Sequence, residues 1–249
     1  MRITAAAITT AYTGLGPAGP GRPARYCSRS CQARAYRARK RPPLPEPEPQ
    51  EPEEREGRRR EIAGAVWRIA AGRGLHEASM REIAAEAGVS LRSVQYHFGS
   101  KHQLLVGALK LLHADNERRA RERIGYDPSD PRALLDAILQ EFLPLDEERR
   151  FGLRVLSAYY SRSLTDPALA AVFLSAEHPL EDLVAGIIAQ AQEDGTCRPG
   201  LDARHEADLL VSGAVGLGGD MLHGRRTAVE VTATFDYHLD RIFGPRADR

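Results

Sequence analysis

Two short helices joined by a tight turn constrain the fold of this chain more than any other feature. Ser79 and Glu82 have the spacing of a capping box, in which a serine caps the helix that follows it. Gly88 ends that helix, and Ser90 caps a second helix that continues to Phe98. Two such helices behind a supporting helix are typical of a helix-turn-helix.

The rest of the chain also shows helical patterns. Apolar residues recur at helical spacing before Gly72, and a capping-box sequence at Ser100 opens a longer helix. Proline follows an acidic cap at Pro131 and at Pro167, and another capping box at Thr227 opens a last helix. Because no alternating pattern of useful strand length appears, we predict an all-α fold, with an N-terminal three-helix domain followed by a helical bundle.

The net charge of the chain is close to zero, but the charge is unevenly distributed. The whole sequence carries 35 basic and 34 acidic residues. Residues 58–104 carry eight basic and four acidic residues, whereas residues 105–249 carry 17 basic and 24 acidic residues. Basic residues gathered at a helix-turn-helix are typical of nucleic-acid binding. Charge alone leaves the alternative open that these are ordinary solvated helix faces.

The second helix of a helix-turn-helix lies in the major groove and meets base edges. Val94 and Phe98 are four residues apart and are expected to face the core. Arginine binds guanine and glutamine binds adenine in a bidentate way, so Arg92 and Gln95 are candidates for reading bases. Lys101, at the start of the next helix, suits a phosphate. The outer faces are expected to carry Arg92, Ser93, Gln95, Tyr96 and His97.

Many residues of this segment match one known pattern at once. They are Ile62-Ala-Gly-Ala65, Gly74-Leu75, the run from Ser79 to Ser90, and Tyr96-His-Phe-Gly-Ser-Lys101-His-Gln-Leu-Leu105. On these residues the chain resembles the DNA-binding domain of the TetR family of bacterial transcriptional regulators. The resemblance covers residues 58–105. It implies a homodimer with a C-terminal ligand-binding and dimerisation domain, acting as a repressor that a small molecule releases from a pseudo-palindromic operator.

The resemblance also implies which residues contact double-stranded DNA. By position they are Ser79, Ser90, Leu91, Arg92, Ser93, Gln95, Tyr96, His97 and Lys101. Gln95 stands where family members often have tyrosine, so a hydroxyl is lost and an amide that can read a base is gained. Leu91 and Arg92 replace a frequent polar-glycine pair. Because of these departures, the resemblance does not indicate which base sequence the operator has.

The C-terminal part resembles, more loosely, the regulatory domains of the choline/betaine-type branch of that family. The helices near 203–219 and 227–242 are each apolar on one face, so two copies can form a four-helix dimer interface. Glycines 213, 216, 218 and 219 would let a second backbone approach closely. A monomeric bundle is the alternative. Residues that could line a ligand pocket, or simply form core, are Phe142, Phe151, Leu153, Leu156, Tyr159, Tyr160 and Phe173.

Composition divides the chain into four predicted segments. They are a basic tail that is expected to be disordered (1–41), an extended Pro/Glu linker (42–57), the helix-turn-helix domain (58–104) and the ligand-binding and dimerisation domain (105–249). Cys27 and Cys31 in the tail are half of a zinc site without nearby further ligands, so we expect no metal there. The tail either adds phosphate contacts or has no role.

Enzyme motifs are missing from the sequence. We find no Gly-rich phosphate loop, no G-x-S-x-G and no His/Cys/carboxylate set at catalytic spacing, and predict no catalytic residue, cofactor or metal. Without a long apolar run or a secretory signal, and with three cysteines, we expect a cytoplasmic protein that makes no membrane contact. An activator, or a DNA-architectural protein without a small-molecule inducer, is the alternative.

Overall fold

The computed structural model describes residues 52–125, 129–174 and 179–245, and these residues form ten α-helices and no strand. The first helices are α1 (Pro52–Arg73), α2 (Met80–Glu86), α3 (Leu91–Phe98) and α4 (Lys101–Arg123), with a 3-10 turn over Leu75–Glu77. The others are α5 (Pro131–Gln140), α6 (Glu147–Ser163), α7 (Pro167–Phe173), α8 (Pro179–Glu193), α9 (Ala203–Leu222) and α10 (Ala228–Phe243). The predicted all-α class is confirmed.

Helix α1 begins earlier than the sequence predicted. An extended linker over residues 42–57 is wrong for residues 52–57, which are helical, while residues 1–51 lie outside the described part of the chain. Pro52 stands in the first helical turn, where its missing N–H costs little. The acidic residues Glu53 and Glu54 follow it and stabilise the positive end of the helix dipole.

Side-chain caps open several helices as predicted, with one difference. The capping boxes at Ser100 and Thr227 form completely. At Ser79 only half of the box forms, because Ser79 Oγ accepts from the N–H of Glu82 at 3.2 Å while the N–H of Ser79 donates to the carbonyl of Glu77 at 2.7 Å. The backbone turn before α2 thus replaces the second bond of the box.

Buried apolar side chains form two clusters. The first joins α1–α4 to α6 and α7, and the second joins α5, α8, α9 and α10. Val155 of α6 and Leu169 of α7 are fully buried in the first cluster, beside the core of the helix-turn-helix. The predicted boundary at residue 104 falls inside α4. The helices expected to bind DNA therefore share one core with α6 and α7, two helices from the C-terminal part of the chain.

One glycine of α9 has a different role from the predicted one. A Cβ built on Gly218 would lie 2.2 Å from the carbonyl oxygen of Phe142, in the turn after α5. Gly218 therefore serves packing within one chain rather than the approach of a second copy. At Gly213, Gly216 and Gly219 an added Cβ would meet no described atom within 4 Å, so these glycines stay accessible.

Replacing Tyr159 by phenylalanine is expected to stabilise the protein by about 1 kcal/mol. Tyr159 is fully buried in the first cluster, and its hydroxyl has no hydrogen-bond partner among the described residues. Burial also raises the pKa of this phenol, because the charged form is disfavoured away from water. Thermal unfolding of Tyr159→Phe checks the prediction. A lower melting temperature than that of the wild type would contradict it.

The described helices include none that is long and apolar enough to cross a membrane. Among the same residues, no group of three or more His, Cys, Asp or Glu side chains could hold a metal ion. Cys27 and Cys31 lie outside the described residues. Cys197 is a free thiol in the second cluster, and burial raises its pKa. It therefore packs there as a small apolar side chain.

Candidate nucleic-acid interface

The turn between α2 and α3 sets the direction of the recognition helix. Gly88 has a φ of +65°, a conformation that glycine adopts without a steric cost. Ser90 Oγ then accepts from the N–H of Ser93 at 3.1 Å and starts α3. Val94 and Phe98 pack into the first cluster, as their spacing predicts. One face of α3 is thereby fixed, and the opposite face is left to solvent.

Most of the residues predicted to contact DNA are accessible. Ser79, Ser90, Arg92, Gln95, Tyr96 and Lys101 are exposed, and Leu91 and Ser93 are half-buried. Leu91 packs partly against the first cluster, so only part of its side chain faces outward. Ser79 and Ser90 each accept a capping hydrogen bond, which leaves their hydroxyl protons able to donate to a phosphate.

His97 is the exception, because its predicted place on an outer face is wrong. The residue is 4% exposed, and its Nδ1 has no hydrogen-bond partner among the described residues. It follows Val94 by three residues and therefore shares the buried face of α3. Burial lowers its pKa below the ordinary 6.5, and Arg55, Arg59 and Arg58 lower it further. Lowering the pH below 6.5 therefore decreases the stability of the folded state, since the unfolded chain binds the proton at a higher pH than the folded chain does.

Arg59 of α1 holds the end of α3, a contact that the sequence does not predict. Its Nη1 donates to the carbonyl oxygen of His97 at 2.5 Å, and its guanidinium lies 4.3 Å from the ring centroid of Phe98. The last carbonyls of a helix lack partners within the helix, so this arginine acts as a cap. The run of arginines at 58–60 was the available signal, but its spacing alone does not show which arginine meets α3.

A cavity of about 350 Å³ lies where α1, α4 and α6 meet. It is lined by Trp67, Leu112, Asp115, Asn116, Arg119, Glu147, Glu148, Phe151 and Gly152. Of the residues predicted for a ligand pocket, Phe151 lies on this wall, whereas Tyr159 is fully buried and Tyr160 is exposed. The carboxylates on this wall are each paired with arginine: Asp115 with Arg60, Glu147 with Arg150, and Glu148 with Arg119 and Arg123. The aromatic rings of Trp67 and Phe151 are therefore the groups on the wall that favour a positively charged occupant.

The cavity wall also connects α1 with α4. Trp67 Nε1 donates to the carbonyl oxygen of Ala108 at 3.1 Å, and Arg60 Nη1 lies 2.5 Å from Asp115 Oδ1. Trp67 and Asp115 line the cavity, so an occupant would lie against one residue of each of these two interactions. Because α1 also holds the end of α3 through Arg59, the cavity and the recognition helix share one supporting helix.

Exposed apolar side chains mark α9 and α10, the helices predicted to form a dimer. Leu209 and Val215 on α9, and Val229 and Tyr237 on α10, each keep more than half of their surface accessible. Large apolar side chains that remain exposed on two helices are candidates for an interaction site. The accessible backbone at Gly216 adds a place for close approach.

The chain has a helix-turn-helix whose second helix faces solvent, and this motif packs on helices of the C-terminal part. These features define a DNA-binding regulator. Residues 62–108 match the family described as bacterial regulatory proteins, tetR family. Residues 131–244 match the family described as BetI-type transcriptional repressor, C-terminal.

Relatives and solved structures agree with these matches. HTH-type transcriptional regulator PksA of Bacillus subtilis is 30% identical over 164 residues, or 65% of this chain and 77% of that protein. HTH-type transcriptional activator FasR of Mycolicibacterium smegmatis is 30% identical over 67% of this chain and 71% of its own length. The chain therefore belongs to the TetR family and is a transcriptional regulator. A regulator from Saccharomonospora viridis, solved in complex with choline, superposes with a TM-score of 0.67 and 26% identity, over 75% of this chain and 98% of that one.

Proposed function

We propose that this regulator is a repressor that binds a pseudo-palindromic operator in double-stranded DNA and leaves it when a small molecule binds. The observation that carries the proposal is that α3 has one buried and one exposed face. Val94 and Phe98 lie on the buried face, and Arg92 and Gln95 lie on the exposed face. Arginine and glutamine can each form two hydrogen bonds with one base, guanine and adenine respectively.

TetR-family proteins are regulators rather than enzymes, and we assign this chain no catalytic step, cofactor or metal. Its partners are operator DNA, a second copy and a small molecule. Because its proposed partner is operator DNA, we place the protein in the cytoplasm.

Homodimerisation is supported by the apolar surface of α9 and α10. A two-fold axis through Leu209 and Val215 would bury these side chains against their copies and remove apolar area from water. The same symmetry would present two copies of α3 about 34–36 Å apart, so that both enter successive major grooves on one side of the duplex.

The ligand that we propose is a small organic cation. The cavity between α1, α4 and α6 offers Trp67 and Phe151 as aromatic faces, with Glu147 and Glu148 at its edge. Aromatic rings attract cations through their quadrupole, whereas both carboxylates are paired with arginines and add little charge. A structural relative is solved in complex with choline, which is a cation of this kind. Binding would shift the contacts of Trp67 and so the position of α1.

Activation is the second candidate, because one relative of this chain is described as a transcriptional activator. The two modes differ in where the operator lies relative to the promoter. A reporter gene fused to the operator region would be expressed more strongly after deletion of a repressor, and less strongly after deletion of an activator.

Selection of bound sequences from random duplex DNA tests the proposal. We expect a short inverted repeat, with half-sites separated by about one helical turn, and protection of both half-sites in a footprint. Enrichment of no motif, together with an affinity that is equal for all duplexes, would contradict a regulator and favour a DNA-architectural protein.

Choline is expected to lower the fraction of operator that is bound and to raise the melting temperature of the free protein. Its uncharged carbon isostere, 3,3-dimethylbutan-1-ol, is the control and should do neither, since it lacks the cation. Phe151→Leu removes one aromatic face of the cavity and should weaken choline binding about fivefold. If choline and its isostere act equally, or neither acts, the proposed ligand class is wrong while the operator result still stands.

A further inference from the structure

Helix α1 extends beyond the part of the chain that matches the family. The tetR-family match begins at Ile62, whereas α1 begins at Pro52. The extension, Pro52–Glu61, contains four arginines and four glutamates. The extension therefore has no net charge, and its effect on the local potential depends on where each arginine and glutamate side chain lies.

Two arginines of the extension face the recognition helix. Arg55 and Arg59 are four residues apart and therefore lie on the same side of α1. The guanidinium carbon of Arg55 lies 5.7 Å from the ring centroid of Tyr96, and Arg59 meets Phe98 and the carbonyl of His97 one turn further on. Arg55 is exposed, and Tyr96 keeps 41% of its surface. A guanidinium and a phenol thus stand side by side at the accessible end of α3.

The other two arginines are paired with carboxylates. Arg58 Nη1 lies 2.6 Å from Glu61 Oε2, and Arg60 Nη1 lies 2.5 Å from Asp115 Oδ1. Arg60 also lies 3.5 Å from Glu56. The positive charge at the end of α3 is consequently concentrated on the side of Arg55. The depressed pKa of His97, to which Arg55 contributes, agrees with a positive potential there.

We propose that Arg55, held against the ring of Tyr96, binds a phosphate of the DNA backbone that flanks the half-site. This proposal rests on operator binding as proposed above, and adds a contact outside the family match. A guanidinium can stack its face on an aromatic ring and still donate two N–H bonds to one phosphate. With α3 in the major groove, a side chain beside its end lies near the groove wall, where the backbone runs.

The salt dependence of DNA binding tests this contact in the full-length protein. Each phosphate that a cation neutralises contributes about 0.9 to the slope of log K against log salt. Arg55→Ala should therefore reduce that slope by about 0.9 and weaken binding to the selected operator and to random duplex alike, roughly fivefold to tenfold at 0.1 M salt. Arg55→Lys keeps the charge and should restore most of the slope.

Two further variants sharpen the test. Arg118→Ala is the matched control, because Arg118 is exposed on α4, pairs with Glu122, and lies outside the proposed interface; it should leave the slope unchanged. Tyr96→Leu should weaken binding less in the Arg55→Ala background than in the wild type, since the ring then has no guanidinium to hold. Circular dichroism melting of each variant shows that the proteins compared are folded.

The outcomes separate this proposal from the proposed function. A wild type that selects an operator, with an Arg55→Ala slope equal to its own, overturns the phosphate contact alone. A loss on the operator without a loss on random duplex also overturns it, because that result indicates base reading. A wild type that selects no motif contradicts the proposed function itself.

Discussion

Gly218→Ala is expected to destabilise the protein by about 3 kcal/mol, which lowers the melting temperature by roughly 6–12 °C for a unit of this size. The added Cβ would stand 2.2 Å from the carbonyl oxygen of Phe142, and that atom belongs to the backbone rather than to a flexible side chain. Relief requires α9 or the turn after α5 to move, and both hold side chains of the second cluster. Thermal and urea unfolding, with the oligomeric state followed by light scattering, measure the effect.

Gly57→Ala is the matched control for this experiment. Gly57 lies inside α1, and a Cβ there would meet no described atom within 4 Å. Since alanine favours a helix over glycine by up to about 1 kcal/mol, this variant should be neutral or slightly more stable. Equal melting temperatures for Gly218→Ala and Gly57→Ala would show that α9 does not approach Phe142 as closely as the structure has it.

Arg92→Ala and Gln95→Ala are each expected to reduce discrimination between operator bases by about 1–3 kcal/mol, or roughly fivefold to 150-fold. Both side chains are exposed on the first turns of α3, while Val94 between them is fully buried and fixes the helix. Affinities for the selected operator and for every single-base variant of it, measured at one salt concentration, show which position each residue reads.

The expected pattern is local. Arg92→Ala should equalise the bases at one position, Gln95→Ala at another, and the remaining positions should keep their preferences. Gln190→Ala, an exposed glutamine of α8 that donates to Asp194, is the control and should change no position. An equal loss on operator and random duplex would show that Arg92 or Gln95 contacts phosphate rather than a base.

The helices and the helix-turn-helix were predictable because their signals are local. Serine caps at Ser90 and Ser100, and the buried pair Val94 and Phe98, depend on residues within a few positions along the chain. The same holds for the apolar faces of α9 and α10. The extent of α1 was missed because proline and glutamate indicate a linker by composition, although at a helix start both are favourable.

The sequence by itself determined that this chain is all-α, where its recognition helix lies, and which side of that helix carries Arg92 and Gln95. Only the tertiary structure decided that Arg59 holds the end of α3 from 38 residues away, and that Gly218 makes room for the backbone of Phe142 rather than for a second copy. Periodicity and caps act over one or two helical turns, so they specify elements. Which charge or glycine meets which neighbour depends on how separate helices pack, and no local pattern encodes that packing.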